Sequence, residues 1–423
     1  MNTSYDIVIA GGGMVGISLA LSLHHHSRGQ LKVAVVESFP LPPVGAAPEY
    51  RPSFDARSTA LSYGSAEIYR QLGVWSTLSQ YACDIRRIHV SDRGHFGSAE
   101  MTAASQGWPA LGHVVENAWL GSVLLDRLRR DSNVEMIAPA AVSEVEIRDG
   151  AAVVTVADKA TDESRTVEAK LLVVADGADS GLRQKLGIHG LEDDYHQVAY
   201  IANIATERPH EGCAFERFTA DGPLAMLPLL PDQQQRSRSA LVWTFPADEA
   251  AAVADWPDES FLENLQARFG YRLGRLVEVG RRASYPLRLV RAEEQIRRRV
   301  AVMGNAAHSL HPVAGQGFNL ALRDADCLAE LLAAAQTRGQ DIGELTVLQS
   351  YLQRQGRDQW LTTAFSDRVT RLFSNRQPLL SVARNLGLLG LDMAPPLKSR
   401  FVAQAAGMAA AGGAPPGRSP RAE

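Results

Sequence analysis

Cysteine is scarce in this sequence. Only Cys83, Cys213 and Cys327 occur among 423 residues, far apart and with no C-x-x-C pair. This pattern supports neither a disulfide framework nor a structural zinc site, and it fits a reducing compartment. No apolar run is long enough to span a bilayer. The N-terminus, MNTSYD, runs directly into an apolar strand without the basic region and cleavage site of a signal peptide. A cytoplasmic protein is predicted. A large excess of one charge sign is missing as well: the net charge is -4 and Lys and Arg are dispersed, so there is no electrostatic footprint for nucleic acid. No Ser-His-Asp order, nucleophile elbow or paired carboxylates stand out.

What the chain does have is bulk and one sharp local pattern. At 45% hydrophobic and 21% charged residues, it can bury a large core and is too long for one compact unit. A strand over Tyr5–Ala10, a glycine turn, an apolar helix over Met14–Leu23 and a second strand over Leu31–Val36 form a βαβ unit. Residues Pro40–Pro52 hold five prolines and mark a loop. Between Val142 and Ala175, three β-rich segments, the first two divided by Asp149-Gly150, predict an antiparallel meander. Strand-like runs such as Leu241–Phe245 mix with a helix at Glu259–Phe269, and no second glycine-rich βαβ unit appears. A strand at Val300–Met303, a loop, and helices over Gln316–Ala334 and Leu348–Phe373 follow. The small, proline-rich end is predicted to be disordered.

Three motifs carry chemistry. Gly11-Gly12-Gly13-Met14-Val15-Gly16 is a G-x-G-x-x-G between a strand and a helix. Gly11 allows the tight turn, Gly13 lets a pyrophosphate approach the backbone, and Gly16 lets the helix pack closely on the strand. Glu37, 21 residues after Gly16, is placed to accept hydrogen bonds from a ribose, with Ser38 beside it. The second motif is the apolar run Leu171–Ala175 ending in Asp176-Gly177, followed by Ser180 and Arg183. The third begins at Val300, turns at Gly304-Asn305-Ala306-Ala307-His308, and continues through His311-Pro312-Val313-Ala314-Gly315-Gln316-Gly317-Phe318-Asn319 into a helix. A helix N-terminus aimed at the pyrimidine edge of a flavin stabilises the negative charge that reduction places there.

In this order and at these separations, the motifs resemble the class A FAD-dependent monooxygenases of the para-hydroxybenzoate-hydroxylase type, over nearly the whole chain to about Gly407. More narrowly, the chain resembles the ubiquinone-biosynthesis hydroxylases. Phe54-Asp55-Ala56-Arg57 with Ala60-Leu61, the stretch from Glu216-Arg217-Phe218-Thr219 to Leu227-Pro228, and Gly304-Asn305-Ala306-Ala307 with Leu310-His311-Pro312 are similar to the 2-polyprenyl-6-methoxyphenol hydroxylase subgroup.

The resemblance implies an α/β fold in which a Rossmann-type FAD-binding domain (1–80, 110–185 with the meander, 287–340) is interleaved with a β-sheet substrate domain (81–109, 186–286). A helical C-terminal region (341–407) and a disordered tail (408–423) follow. It implies FAD held by Gly11, Gly13, Met14, Val15, Gly16, Glu37, Ser38, Arg57, Asn117, Asp176, Gly177, Gly304, Asn305, Pro312 and the turn Gly315, Gln316, Gly317, Phe318, Asn319. The flavin-facing loop is His311, Pro312, Gly315 and Gly317. No protein residue is singled out as catalytic, because the flavin, as its C4a-hydroperoxide, carries the oxygen. Asn305 departs from the wider family's aspartate, but its amide can still hydrogen-bond ribityl hydroxyls.

The implied reaction is hydroxylation of a prenylated phenol by O2 in ubiquinone biosynthesis, from 2-polyprenyl-6-methoxyphenol to the 6-methoxy-1,4-benzoquinol, with NAD(P)H or another electron donor. Alternatives are another ring-position hydroxylase, a flavin halogenase or reductase, and a non-catalytic FAD- or prenyl-binding subunit of a biosynthetic complex. The absence of W-x-W-x-I-P weighs against the halogenase.

Blander readings win elsewhere. His308 and His311 lack a cysteine or acid neighbour in sequence to complete a metal site, so packing or hydrogen bonding is predicted and no metal is expected. His24, His25 and His26 point about 100° apart on a helix and mark its end. Trp75, Trp119, Trp243 and Trp360 are read as core or half-buried anchors. The segment Leu379–Val402, apolar with interleaved basic residues and broken by Gly and Pro, fits either core or contact with a membrane surface. A polyprenyl tail gives a reason for the second, since each buried CH₂ is worth about 0.8 kcal/mol.

Overall fold

The computed structural model describes residues 3–43, 45, 48–50, 57–92, 98–219, 222–310, 315–373 and 406. Along the chain run β1 (Thr3–Ala10), α1 (Met14–Ser27), β2 (Val33–Val36), β3 (Ser58–Ser62), β4 (Gly112–Glu116), α2 (Asn117–Asp131), β5 (Ala140–Ile147), β6 (Ala152–Asp158) and β7 (Ser164–Val174). Then come β8 (Gly190–Thr206), β9 (Cys213–Thr219), β10 (Gly222–Leu229), β11 (Ser237–Pro246), α3 (Asp258–Phe269), β12 (Ala283–Ala292), β13 (Val300–Val302), β14 (His308–Ser309), α4 (Gln316–Thr337) and α5 (Leu345–Phe373).

The expected βαβ unit is present, and its core strands are parallel: β13, β7, β1 and β2 lie side by side in an eight-stranded sheet. Strands buried on both faces need a continuous apolar run rather than alternation. In β1, Ile7 and Ile9 pack into one cluster with α1 and α4, while Val8 and Ala10 join the cluster on the opposite face. The meander β5–β6–β7 attaches antiparallel to this sheet, as its Asp149-Gly150 turn predicts.

A nine-stranded sheet holds β14, β12, β8, β11, β10 and β9 in that order, continuing into Arg87–Asp92 and Ser98–Thr102. One face is covered by helix: Tyr200, Ile204, Leu224, Met226, Trp243 and Phe245 pack with Phe261, Leu265 and Phe269 of α3. The opposite face looks toward a small sheet of β3, β4 and Ala82–Ile85, through Ala214, Leu229, Ala240 and Val114.

The histidine tract does close α1. His24 bonds Asn133, His26 bonds Asp326 of α4, and no His/Cys/Asp/Glu group among the described residues is arranged to hold a metal. Trp119 and Trp243 are core, whereas Trp360 is exposed. No helix among the described residues is long and apolar enough to cross a membrane. His311, Pro312 and the segment Leu379–Val402 lie outside the described residues.

Candidate active site

The three motifs meet because their strands are neighbours in register. Val302 of β13 pairs with Val174 of β7, Val174 with Ala10 of β1, and Ala10 with Val36 of β2. All four strands end on one line, and each motif follows that line: Gly304-Asn305, Asp176-Gly177, Gly11–Gly16 and Glu37-Ser38. The carboxyl edge of an open parallel sheet is where such folds bind ligands. Ladder bonds seal the edge, with Gly11 N–H donating to Val36 O at 2.9 Å, Ala175 N–H to Ala10 O at 2.8 Å and Met303 N–H to Val174 O at 2.9 Å.

The glycines divide into two kinds. Gly11 sits at φ +113°, and a Cβ there would lie 2.4 Å from Ala175 O; one on Gly16 would lie 1.9 Å from Gly11 O. These two are glycine so that backbone can pack on backbone. Gly304, at φ +62°, abuts Val15 of α1 and so presses the third motif onto the first. Gly13 differs: a Cβ there would meet nothing within 4 Å. It is exposed and faces an open groove.

Helix α1 begins at that groove with Met14 and Val15, has no side-chain cap at Gly13 and carries no acid in its first turn. Its first N–H groups and the positive end of its dipole are therefore available to an anion. Across the groove, Glu37 accepts from Gly12 N–H at 2.8 Å, from Phe39 N–H at 2.8 Å and from Ser38 Oγ at 3.3 Å. A carboxylate has about four lone-pair sites, so one acceptor position is left, on Oε2 beside the Gly12 N–H. Asn305 is exposed between buried Gly304 and Ala306, and Asp176 is exposed with its Oδ2 accepting from Leu182 N–H at 3.4 Å. An uncapped helix, a glycine backing open space, and polar side chains along one edge fit the pyrophosphate, ribose and ribityl groups of FAD.

The start of α4 forms a second anion-ready helix end. Gly315 is left-handed at φ +60°, and the first turn has neither a side-chain cap nor an acid. Gln316 is buried, while Gly317 and Phe318 are half-buried. Asn319, only 1% exposed, is saturated by protein. It donates to Ala60 O and Gly315 O at 2.8 Å each, and accepts from Ser62 N–H at 2.8 Å and Ser65 Oγ at 2.7 Å. Its side chain thus pins the helix start to β3. Arg57, one residue before β3, is exposed with its guanidinium 5.3 Å from the Tyr285 ring centre. Asn117 donates its backbone N–H to Arg57 O at 2.7 Å and accepts from Thr59 Oγ1 at 2.7 Å.

The face of the nine-stranded sheet turned toward β3 is not fully covered. Ile201, Val242, Ala225, Glu216 and Val90 form one row across five strands. Four of them, Ile201, Val242, Glu216 and Val90, are half-buried although they sit in mid-sheet. Partial exposure there means open space above the row, a cleft lined by modest apolar side chains and one carboxylate. Tyr63 and Trp108, stacked at 5.0 Å and packed near Ala60, stand beside it. At its far end Arg238, wholly buried, donates to Glu116 Oε1 at 2.7 Å, and the Tyr50 hydroxyl donates to the same oxygen at 3.0 Å. Burial, and then the Glu116 charge, push the Tyr50 phenol well above its ordinary range.

Two groups were given no role by the sequence reading. Arg183, 2% exposed, reaches from the second motif to Ala306 O of the third at 2.7 Å; its place after Asp176-Gly177 was the only available signal. In the cleft row, Glu216 and Ala225 fall in the stretch that carries the subgroup resemblance, but Ile201, Val242 and Val90 left no signal, because alternation along a strand looks the same for a core face and a ligand face.

Comparison with known proteins agrees with this geometry. The FAD binding domain family matches residues 4–364, and the chain belongs to it. It is an FAD-dependent monooxygenase. The ubiquinone hydroxylase UbiL of Rhodospirillum rubrum is 35% identical over 97% of this chain and 91% of its own length. The 3-demethoxyubiquinol 3-hydroxylase of Escherichia coli is 30% identical over 96% of this chain and 100% of its own. In fold, the chain is similar to the p-nitrophenol 4-monooxygenase PnpA of Pseudomonas putida, with a TM-score of 0.75 at 20% identity, covering 97% of this chain and 99% of that one.

Proposed function

We propose that this chain hydroxylates a prenylated phenol in ubiquinone biosynthesis, converting 2-polyprenyl-6-methoxyphenol to 2-polyprenyl-6-methoxy-1,4-benzoquinol. One oxygen atom of O2 enters the ring and the other leaves as water, with two electrons from NAD(P)H. The observation that carries this reading is the half-open apolar row Ile201–Val242–Ala225 in mid-sheet, on the side of β3 and the start of α4. That face gives an apolar ring and tail a dry wall, and the names of the relatives point to ubiquinone precursors.

In this reading Gly11, Gly13, Met14, Val15 and Gly16 cradle the pyrophosphate, Glu37 and Ser38 hold the adenosine ribose, and Asp176, Gly177, Gly304 and Asn305 hold the middle of FAD. Arg57 and Asn117 approach from β3 and β4, and the first turn of α4 faces the flavin pyrimidine. Bound FAD supplies the activation of oxygen; the protein orients the ring, excludes water and offers a helix N-terminus to developing negative charge.

The Escherichia coli relative favours a second reading, hydroxylation at a different carbon of the same kind of ring. Mass spectrometry of quinone precursors in a deletion strain separates the two, because the accumulating precursor lacks the oxygen this enzyme adds. Unaltered quinone levels in that strain would remove both.

A further inference from the structure

We infer that His308 and Asp324 form a buried positioning pair that holds the start of α4 in place and thereby sets how strongly the protein favours reduced over oxidised FAD. The inference rests on the reading above that the first turn of α4 faces the flavin.

Asp324 lies on the third turn of α4 and is 0% exposed. Its helical neighbours three and four residues away, Leu320, Ala321, Cys327 and Leu328, are all buried too. Among the described residues, neither carboxylate oxygen has a hydrogen-bond partner. The guanidinium of the adjacent Arg323 is turned to Asp358, at 2.7 Å. The cation-forming group at Asp324 is His308, 4% exposed, with Nε2 3.2 Å from Oδ2. His308 stands in β14, fixed by its pairing to Arg291 of β12.

For stability alone this arrangement is a poor choice. A buried carboxylate is costly, and apolar residues of similar volume usually serve as well or better. Its connectivity gives it another use. β14 is the last strand before the third-motif loop and α4 is the helix after it, so the contact ties the two flanks of that loop together. Asn319 holds α4 to β3 on one side, and Asp324 holds it to β14 on another. Two anchors on different partners fix both the rotation of α4 and its position along its axis. The dipole effect falls off within the first turn, so a small displacement of the helix start changes the stabilisation of a reduced, negatively charged flavin.

The test uses the FAD-loaded enzyme and four proteins: wild type, Gly317→Val, Asp324→Asn and the double variant His308→Leu/Asp324→Leu. Melting temperature and the two-electron potential of the bound flavin are measured for each. Asp324→Asn is expected to lose stability and to shift preference away from reduced FAD about tenfold, near 30 mV for a two-electron couple. The leucine pair should recover the melting temperature while the potential stays low, a separation that a packing role cannot produce. Recovery of both together, or a wild-type potential in both pair variants while Gly317→Val shifts it, overturns the inference. An unshifted potential in Gly317→Val shows instead that α4 does not face the flavin, and the inference falls with that reading. If the leucine pair fails to hold FAD, the potential of Asp324→Asn decides alone.

Discussion

In the parallel sheet, the residues proposed to hold FAD follow the last residue of a strand. In the nine-stranded sheet, the residues proposed to meet substrate sit in the middle of strands. The first arrangement concentrates function in short, glycine-rich loops with acids at the strand ends. The second spreads it over side chains that also belong to an ordinary sheet face. Cofactor binding is therefore sensitive to single atoms at a strand end, and substrate choice to the collective shape of a surface.

The largest expected effect comes from filling the groove. Gly13→Val should weaken FAD binding by more than about 100-fold while leaving the melting temperature of the apoprotein within about 2 °C, since its side chain enters open space rather than protein. Fluorescence titration and thermal melts check both halves. A large loss of apoprotein stability would show that Gly13 belongs with Gly11 and Gly16.

Narrowing the cleft should do the reverse. Val242→Phe is expected to raise KM for a prenylated phenol on the order of tenfold, within the 1–3 kcal/mol that overpacking or a filled subsite produces, with the FAD dissociation constant unchanged. An unchanged KM places the substrate elsewhere.

Glu37→Ala should weaken FAD binding about tenfold, the range for losing one or two hydrogen bonds to a charged acceptor. Equal affinity in wild type and variant removes the ribose role.

The smallest effect is a pH-dependent one between α1 and α4. The hydrogen bond His26 makes to Asp326 raises the His26 pKa above its ordinary value. A raised histidine pKa adds stability that is fully present below the unfolded value of about 6.5 and is lost as pH climbs through the folded value. Asp326→Asn should therefore cost at most about 1 kcal/mol at pH 5.5 and almost nothing at pH 9. Denaturant melts at the two pH values test this, and an equal loss at both rules out the charge pair.

Much of the fold was legible because its signals are local. The βαβ unit, the meander turn at Asp149-Gly150 and the helices starting at Met14 and Gln316 are specified by glycine, periodicity and β-branched runs within a dozen residues. Less was legible of the site. Asn319 sits in a motif that points to a cofactor, yet its four hydrogen bonds go to Gly315 of its own loop, to Ala60 and Ser62 of β3 and to Ser65 just after β3, the last three more than 250 positions earlier in the chain. Arg183, Arg238 and Asp324 look like surface charges in the sequence and are buried in the fold.

The sequence by itself determined the cofactor half: Gly11, Gly13 and Gly16 between a strand and a helix, with an acid at Glu37, leave the backbone few conformations, and a dinucleotide fits the one adopted. Only the tertiary structure decided which face of the nine-stranded sheet stays open. Strand alternation puts apolar residues on both faces of β8, β10 and β11, and burial of either face gains hydrophobic free energy. The choice falls to packing partners outside these strands, because α3 covers the Trp243 side and the space beside β3 is left over Val242.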